Sequence, residues 1–171
     1  MHSTSIDLIV SNNGINNVSD LDKVLSECSR IIKHGGQFLL TMNLNNTMFE
    51  FYELFKNLLQ ELNMKAEIEK MNQQIYNKRK PLEGFIELLE KYGFQIKNVE
   101  HNQFDYKFID GTTLLNHYFI RMAFLNGWKS IIPIGKQEFI FSELERRMNN
   151  KAQVDGFFRL SVPFVVIDCI K

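Results

Sequence analysis

Two short apolar runs, joined by one amphipathic helix pattern and a pair of glycines, constrain this chain more than any other feature. The first run, IDLIV at residues 6–10, reads as a strand. Its near-continuous apolar character suits burial on both faces, as in a parallel sheet. Asn12, Asn13 and Gly14 follow at once and mark a turn. Ser19 then takes the place of a helix N-cap, with Asp22 as its reciprocal acid. Leu21, Val24, Leu25, Cys28, Ile31 and Ile32 recur at helical spacing. Lys33 falls in the last turn, and Gly35-Gly36 is expected to stop the helix. A second strand, QFLLTM, covers residues 37–42. Strand, helix, strand in this order is a βαβ crossover, which is almost always right-handed. An α/β fold follows from that alternation.

The rest of the chain extends the alternation. Thr47 and Glu50 have capping-box spacing, and Met48, Phe51, Tyr52, Phe55, Leu58, Leu59 and Leu62 form one helical stripe. Residues 65–80 are polar with a weak helical pattern, which reads as a surface helix or connection. Their basic run, Lys78-Arg79-Lys80, reads as a solvated loop. Pro81 suits the first turn of a helix that Gly93 ends. A strand is expected over residues 94–99, and a helical insertion over residues 107–155. Within the insertion Leu115, Tyr118, Phe119, Met122 and Leu125 form a stripe. The final strand, FVVIDCI, covers residues 164–170, with Pro163 at its start. No internal repeat or low-complexity linker interrupts the 171 residues, so they are read as a single domain.

Charge narrows the partners. Lys and Arg number 20, as do Asp and Glu, and no broad basic surface is available for nucleic acid. No apolar run approaches the roughly 18 residues of a membrane span, and the start of the chain lacks a secretory pattern. Cys28 and Cys169 are far apart on expected core faces, which suits reduced thiols and a cytoplasmic location. No spacing of His, Cys, Asp and Glu resembles a metal site. His2 and His34 have no evident partners, and His101 falls just past an expected strand.

Four phrases in order carry a family resemblance. They are Asp7-Leu-Ile-Val-Ser11, the helix end Arg30-Ile-Ile-Lys-His-Gly-Gly36 with the strand after it, Leu88-Leu-Glu-Lys-Tyr-Gly-Phe-Gln-Ile96, and residues 164–170. Together they resemble the second half of class I S-adenosylmethionine-dependent methyltransferases. His34 stands where proline is common in that family. The resemblance implies a partial Rossmann-like sheet whose strands correspond to the fourth to seventh, the last one antiparallel. It also implies that the glycine-rich cofactor loop and the acidic end of the second strand belong to a part not represented here. No G-x-G-x-G phrase occurs in the chain. On this reading the chain is a carboxyl-side portion, and S-adenosylmethionine is the cofactor of the complete domain. The strand from Ile6 to Val10 would then be an apolar edge, covered by a second copy or by a separate amino-terminal half.

Candidate site residues follow from position. Ser11, Asn12, Asn13, Gly14 and Ile15 come after the carboxyl end of a parallel strand, where open α/β sheets bind ligands. The resemblance places this loop beside the cofactor's sulfonium and the acceptor. Thr41, Met42 and Asn43 end the next strand on the same rim and are candidates to wall the acceptor pocket. His117 and Arg121 are four residues apart, hence on one helical face. His117 is the candidate general base, and Arg121 a candidate holder of an anionic acceptor group. Tyr118 and Trp128 are candidates to line an apolar acceptor pocket. Each has an alternative: an ordinary Asn/Gly turn, a solvated helix face, or aromatic core.

Two functional readings stand. One is methyl transfer to a small molecule by an in-line displacement, with the protein mainly positioning the reactants. Nucleic acid is disfavoured because the rim lacks basic residues and the Asn-Pro-Pro-aromatic phrase of base-directed enzymes. The other is a non-catalytic remnant, or a dimerising or regulatory partner of a methyltransferase.

Overall fold

The computed structural model describes residues 4–171. His2 lies outside the described residues. Four strands form one sheet: β1 (Ile6–Asn12), β2 (Ile32–Asn43), β3 (Gln95–Phe108) and β4 (Phe158–Ile170), in the order β1-β2-β4-β3. β1 and β2 are parallel, as the crossover requires, and β4 is antiparallel to β2. The expected α/β sheet is therefore present, with its final strand reversed between β2 and β3.

β1 is an edge strand, as the resemblance implies; burial on both faces, expected from its apolar run, is not realised. Ile9 packs against the core, whereas Leu8 is 51 % and Val10 62 % exposed. Nothing among the described residues covers that face or pairs with the free side of the strand. The apolar pattern of β1 matches a central strand, while its place in the sheet does not.

The crossover helix α1 (Leu21–Ile31) ends earlier than Gly35-Gly36, because Ile32 turns to extended backbone and opens β2. Its N-cap is Asp20, not Ser19; the Asp20 carboxylate accepts from Lys23 N–H at 2.9 Å. The two glycines instead make an irregularity in β2. Ile6 pairs with Ile32 and Leu8 with Gln37, so a short step of β1 passes a longer loop of β2. Gly35 has φ +78°, and a Cβ on Gly36 would stand 2.7 Å from Ile32 Cγ1 and 2.9 Å from Lys33 O. Both positions therefore need glycine, one for conformation and one for space.

Two compact units make up the chain. The first comprises Met1–Thr47, Tyr76–Phe104 and Val162–Lys171; the second comprises Met48–Ile75 and Asp105–Ser161. The insertion expected at residues 107–155 falls within the second unit. In the first unit Leu25, Ile32, Phe38, Leu40, Phe94 and Ile167 form the core. Helix α4 (Leu82–Lys91), entered at Pro81, adds Phe85 and Leu89, and Gly93 (φ +81°) follows its end.

The second unit is helical. It holds α2 (Phe49–Glu61), most of α3 (Lys65–Lys78), a broken segment and the long α8 (Ile134–Asp155). The capping box expected at Thr47 and Glu50 is absent. Thr47 Oγ1 donates to Leu44 O at 2.7 Å, and Glu50 accepts from the Ser161 N–H at 2.9 Å and from its hydroxyl. α2 begins instead at Met48, in the left-handed region at φ 61°.

The broken segment runs α5 (Gly111–Asn116), α6 (Tyr118–Ile120), a π-turn at Arg121–Leu125 and α7 (Asn126–Ser130). Extended backbone at His117 interrupts it. That break turns part of the expected stripe outward: Leu115, Phe119 and Leu125 pack on the core, while Tyr118 is 77 % and Met122 63 % exposed. β4 begins at Phe158, so Pro163 lies inside it. Its carbonyl still accepts from the Leu44 N–H at 2.9 Å, while Leu44 O, the acceptor a proline N–H cannot serve, is taken by Thr47.

Candidate functional site

The carboxyl ends of β1 and β2 lie side by side, so the loops leaving them share one rim. Thr41 ties the rim together. Its hydroxyl donates to Asn12 Oδ1 at 2.8 Å and accepts from the Asn13 N–H at 3.0 Å. Asn13 takes the left-handed turn at φ 53°, a conformation Asn tolerates. Gly14 is right-handed, at φ −66°, and leads into a short 3-10 turn at Ile15–Asn17. A Cβ at Gly14 would meet Ser11 Oγ at 3.2 Å, so glycine serves space here, not conformation. Asn17 Nδ2 donates to Asn13 O at 3.0 Å and closes the turn.

Beside this turn, within the first unit, is a cavity of about 160 Å³. Its apolar wall is Ile15, Val18, Leu21, Met42 and Phe85. Its polar side is Ser19 with Asn77, Lys78 and Lys80 from the end of α3 and the loop after it. Burial, and then the charge of Arg79, pushes the Lys78 ammonium below its ordinary value. Arg79 corrects the reading of this basic run as a solvated loop: it is only 5 % exposed. Its Nη1 is buried without a hydrogen-bond acceptor. Asn43 Oδ1, at the end of β2, is likewise buried without a donor. Asp22 is occupied elsewhere. Lys91 Nζ and Tyr92 Oη each donate to it at 2.8 Å, and these bonds hold its carboxyl below the usual range.

Of the residues singled out from the sequence, Ser11, Asn12, Asn13, Gly14, Ile15 and Asn43 are brought together on the rim. Of these, only Ile15 lines the cavity, and it is 6 % exposed. His117, Tyr118, Arg121 and Trp128 belong to the second unit. His117 and Arg121 share a turn, with the Arg121 N–H donating to His117 O at 3.0 Å, and both side chains are exposed. The His117 ring meets Phe108 edge-on at 5.4 Å. Trp128 is fully buried, stacked on Phe51 at 3.9 Å. Met42, read from the sequence as a wall of the acceptor pocket, lines the cavity; sequence reading missed Ser19, Phe85 and the basic residues. The run from Lys78 to Lys80 was the available signal, because three adjacent cations before a proline leave room for one to turn inward.

Among the described residues no group of His, Cys, Asp and Glu is placed to hold a metal ion. No described helix is long and apolar enough to cross a membrane. Cys28 and Cys169 are both free, and burial pushes the Cys169 thiol up to about 12.

Residues 1–40 match the family model described as a methyltransferase domain. Among curated proteins, none matches the chain. Among solved structures, a protein of Bacillus halodurans assigned as a methyltransferase superposes with a TM-score of 0.55 at 14 % identity, over 100 % of this chain and 72 % of the other. A protein of Anabaena variabilis, assigned as a methyltransferase of an antibiotic biosynthesis pathway, gives 0.51 at 14 % identity, over 96 % of this chain and 67 % of the other. At such identities the likeness is one of fold. In its sheet order, its reversed final strand and the segment matched at residues 1–40, the chain carries the Rossmann-like fold of class I S-adenosylmethionine-dependent methyltransferases.

Proposed function

We propose that this chain is the acceptor-holding portion of an S-adenosylmethionine-dependent methyltransferase that acts on a small molecule. The observation that carries this reading is the cavity at the carboxyl ends of β1 and β2, the position at which open α/β sheets receive ligands. An apolar wall with a few polar groups on one side is the usual make-up of a small-molecule site.

The rim residues do not form a cradle for the whole cofactor. A cavity of about 160 Å³ holds a group of roughly benzene size, far short of a nucleoside joined to an amino acid. Neither β1 nor β2 ends in a carboxylate that could take ribose hydroxyls. Asn12 Oδ1, the Asn13 backbone N–H and the Thr41 hydroxyl are already paired with one another. Ser11, Asn12, Asn13 and Gly14 therefore supply one wall at most, and the ribose and adenine contacts need groups other than these. What the described residues do is seat the acceptor. Phe85, Met42 and Leu21 exclude water from its apolar part, and the polar side orients its head.

A second reading is a non-catalytic or dimerising partner of a methyltransferase. The missing cofactor cradle favours it, as does the exposed edge of β1. Our proposed location is the cytoplasm, in keeping with two free thiols.

Calorimetric titration of S-adenosylmethionine into the chain separates the two readings. Saturable micromolar binding, followed by transfer of a labelled methyl group to a member of a metabolite panel, supports the enzyme. No heat at millimolar cofactor removes methyl transfer by this chain alone and leaves an acceptor-holding portion or the partner.

A further inference from the structure

The two edges of the sheet are built differently. β3 carries the exposed charges Lys97 and Glu100 on its edge, and charge on an outer strand is a common guard against pairing with another chain. β1 has no Lys and no Pro, and its single charged residue, Asp7, is tied to Lys33 at 2.8 Å. The backbone of β1 is also set for pairing. The Asn13 N–H donates to Thr41 O at 3.2 Å, and a Cβ on Gly36 would meet Asp7 O at 3.2 Å. Backbone groups alternate in direction along a strand. Asp7, Ile9 and Ser11 therefore face β2, while Leu8 and Val10 turn their N–H and C=O groups to the free edge. The side chains of Leu8 and Val10 are exposed, and Ile9 packs on the core.

We propose that a second copy of this chain occupies this edge, β1 pairing antiparallel with β1 about a twofold axis at Ile9. That register sets Leu8 opposite Val10 of the second copy, and Val10 opposite its Leu8. Both residues direct backbone groups outward, so each such pair closes ladder bonds. Their side chains fall on one face and form a single apolar cluster across the axis. Asp7 falls opposite Ser11, so no two carboxylates meet. Moving the axis to Leu8 sets Asp7 against Ile9, and moving it to Val10 sets Leu8 against Asn12. The zero net charge of the chain adds no long-range repulsion between copies. Antiparallel pairing sends the two rims to opposite ends, so neither copy completes the other's cofactor cradle. The pairing goes beyond the acceptor reading above and is independent of it. Contact through one strand is at the small end of interfaces, which sets the association in the micromolar range.

The test is sedimentation velocity of the full chain from about 1 to about 200 µM, without cofactor. We expect the mass to rise from that of one chain towards that of two. Val10→Pro keeps the edge apolar and removes an N–H that β2 does not use, a substitution edge strands tolerate. It should weaken association about tenfold or more. The register is read by disulfide capture in a Cys28→Ser background, which leaves only the buried Cys169. Leu8→Cys mixed with Val10→Cys places thiols directly opposite, with Cα atoms about 5.5 Å apart, inside the roughly 4.4–6.8 Å that a disulfide spans. In either variant alone the thiols are diagonal, at about 7–8 Å. The mixture should therefore cross-link about fivefold or more faster than either component. Both side chains are exposed, so these variants spare the core and carry the test should Val10→Pro not fold. A monomer at about 200 µM overturns the proposal and leaves the edge to a different occupant. So does a dimer that a folded Val10→Pro chain retains, or a mixture that cross-links no faster than its components.

Discussion

Trp128 Nε1 donates a hydrogen bond to Tyr52 Oη at 3.0 Å, inside the core of the helical unit. Both residues are buried, and Phe51 and Phe124 stack on the indole. Tyr52→Phe keeps the ring and removes the acceptor of the indole N–H. An orphaned buried donor costs about 1–3 kcal/mol. Trp128 is the single Trp of the chain, so its fluorescence during urea unfolding reports this unit. We expect the midpoint to fall by that amount; an unchanged midpoint would mean the bond contributes nothing net.

Thr41 joins β1 to β2 at the rim through Asn12 and the Asn13 N–H. Thr41→Val has a similar shape and loses both bonds. The loss should be about 1–2 kcal/mol in stability, with faster hydrogen exchange at Asn13 in particular. Protection of that amide equal to the parent's would show that the turn is held by the Thr41 carbonyl, 3.2 Å from the same N–H, without help from the hydroxyl.

Gly36 is sealed by Ile32 Cγ1 and two backbone carbonyls. Gly36→Ala must therefore push backbone aside, and overpacking of this kind costs about 1–3 kcal/mol. Gly84→Ala, with open space around the glycine and an ordinary φ, is the control and should be neutral or mildly stabilising in its helix. Equal thermal melts for the two variants would contradict the crowded reading of β2.

Glu143 accepts from Arg146 and Arg147, and those bonds hold its carboxyl down to about 2 from an ordinary 4.5. A folded-state value below the unfolded one stabilises the fold above about pH 4.5, and that contribution is lost as pH falls towards 2. The stability gap between the parent and Glu143→Gln should be level near neutrality and close progressively through this acid window. A gap independent of pH would place the effect in packing, not in charge.

Leu8 and Val10 are exposed on the free edge of β1. Val10→Lys leaves the core intact and charges that edge, a common device against strand pairing. We expect sedimentation velocity to show less concentration-dependent association than in the parent. Identical profiles would mean that the edge does not drive association.

Much of the fold was legible because it depends on local periodicity. The alternation around IDLIV and QFLLTM required a parallel pair, and β1 and β2 supply it. Caps were read less well. Ser19 and Thr47 have the right side chains, yet Asp20 caps α1, and Thr47 donates to Leu44. Several nearby polar residues can serve a helix start, and packing of the chain entering it selects among them. Of the candidate site, the rim residues could be named from strand ends alone. Lys78 and Lys80 could not, because the same basic run can face water or a cavity without changing its pattern.

The sequence by itself determined the order of strands and helices, the crossover, and the candidate rim after β1. These follow from spacing that each segment carries alone. Tertiary structure decided three other things. It left the Leu8 and Val10 face of β1 open to solvent, gave Trp128 to a core, and buried Arg79 while its neighbour Lys80 stays exposed. Each depends on which surfaces meet across distant parts of the chain, and burial is a property of that meeting, which no short stretch of sequence encodes.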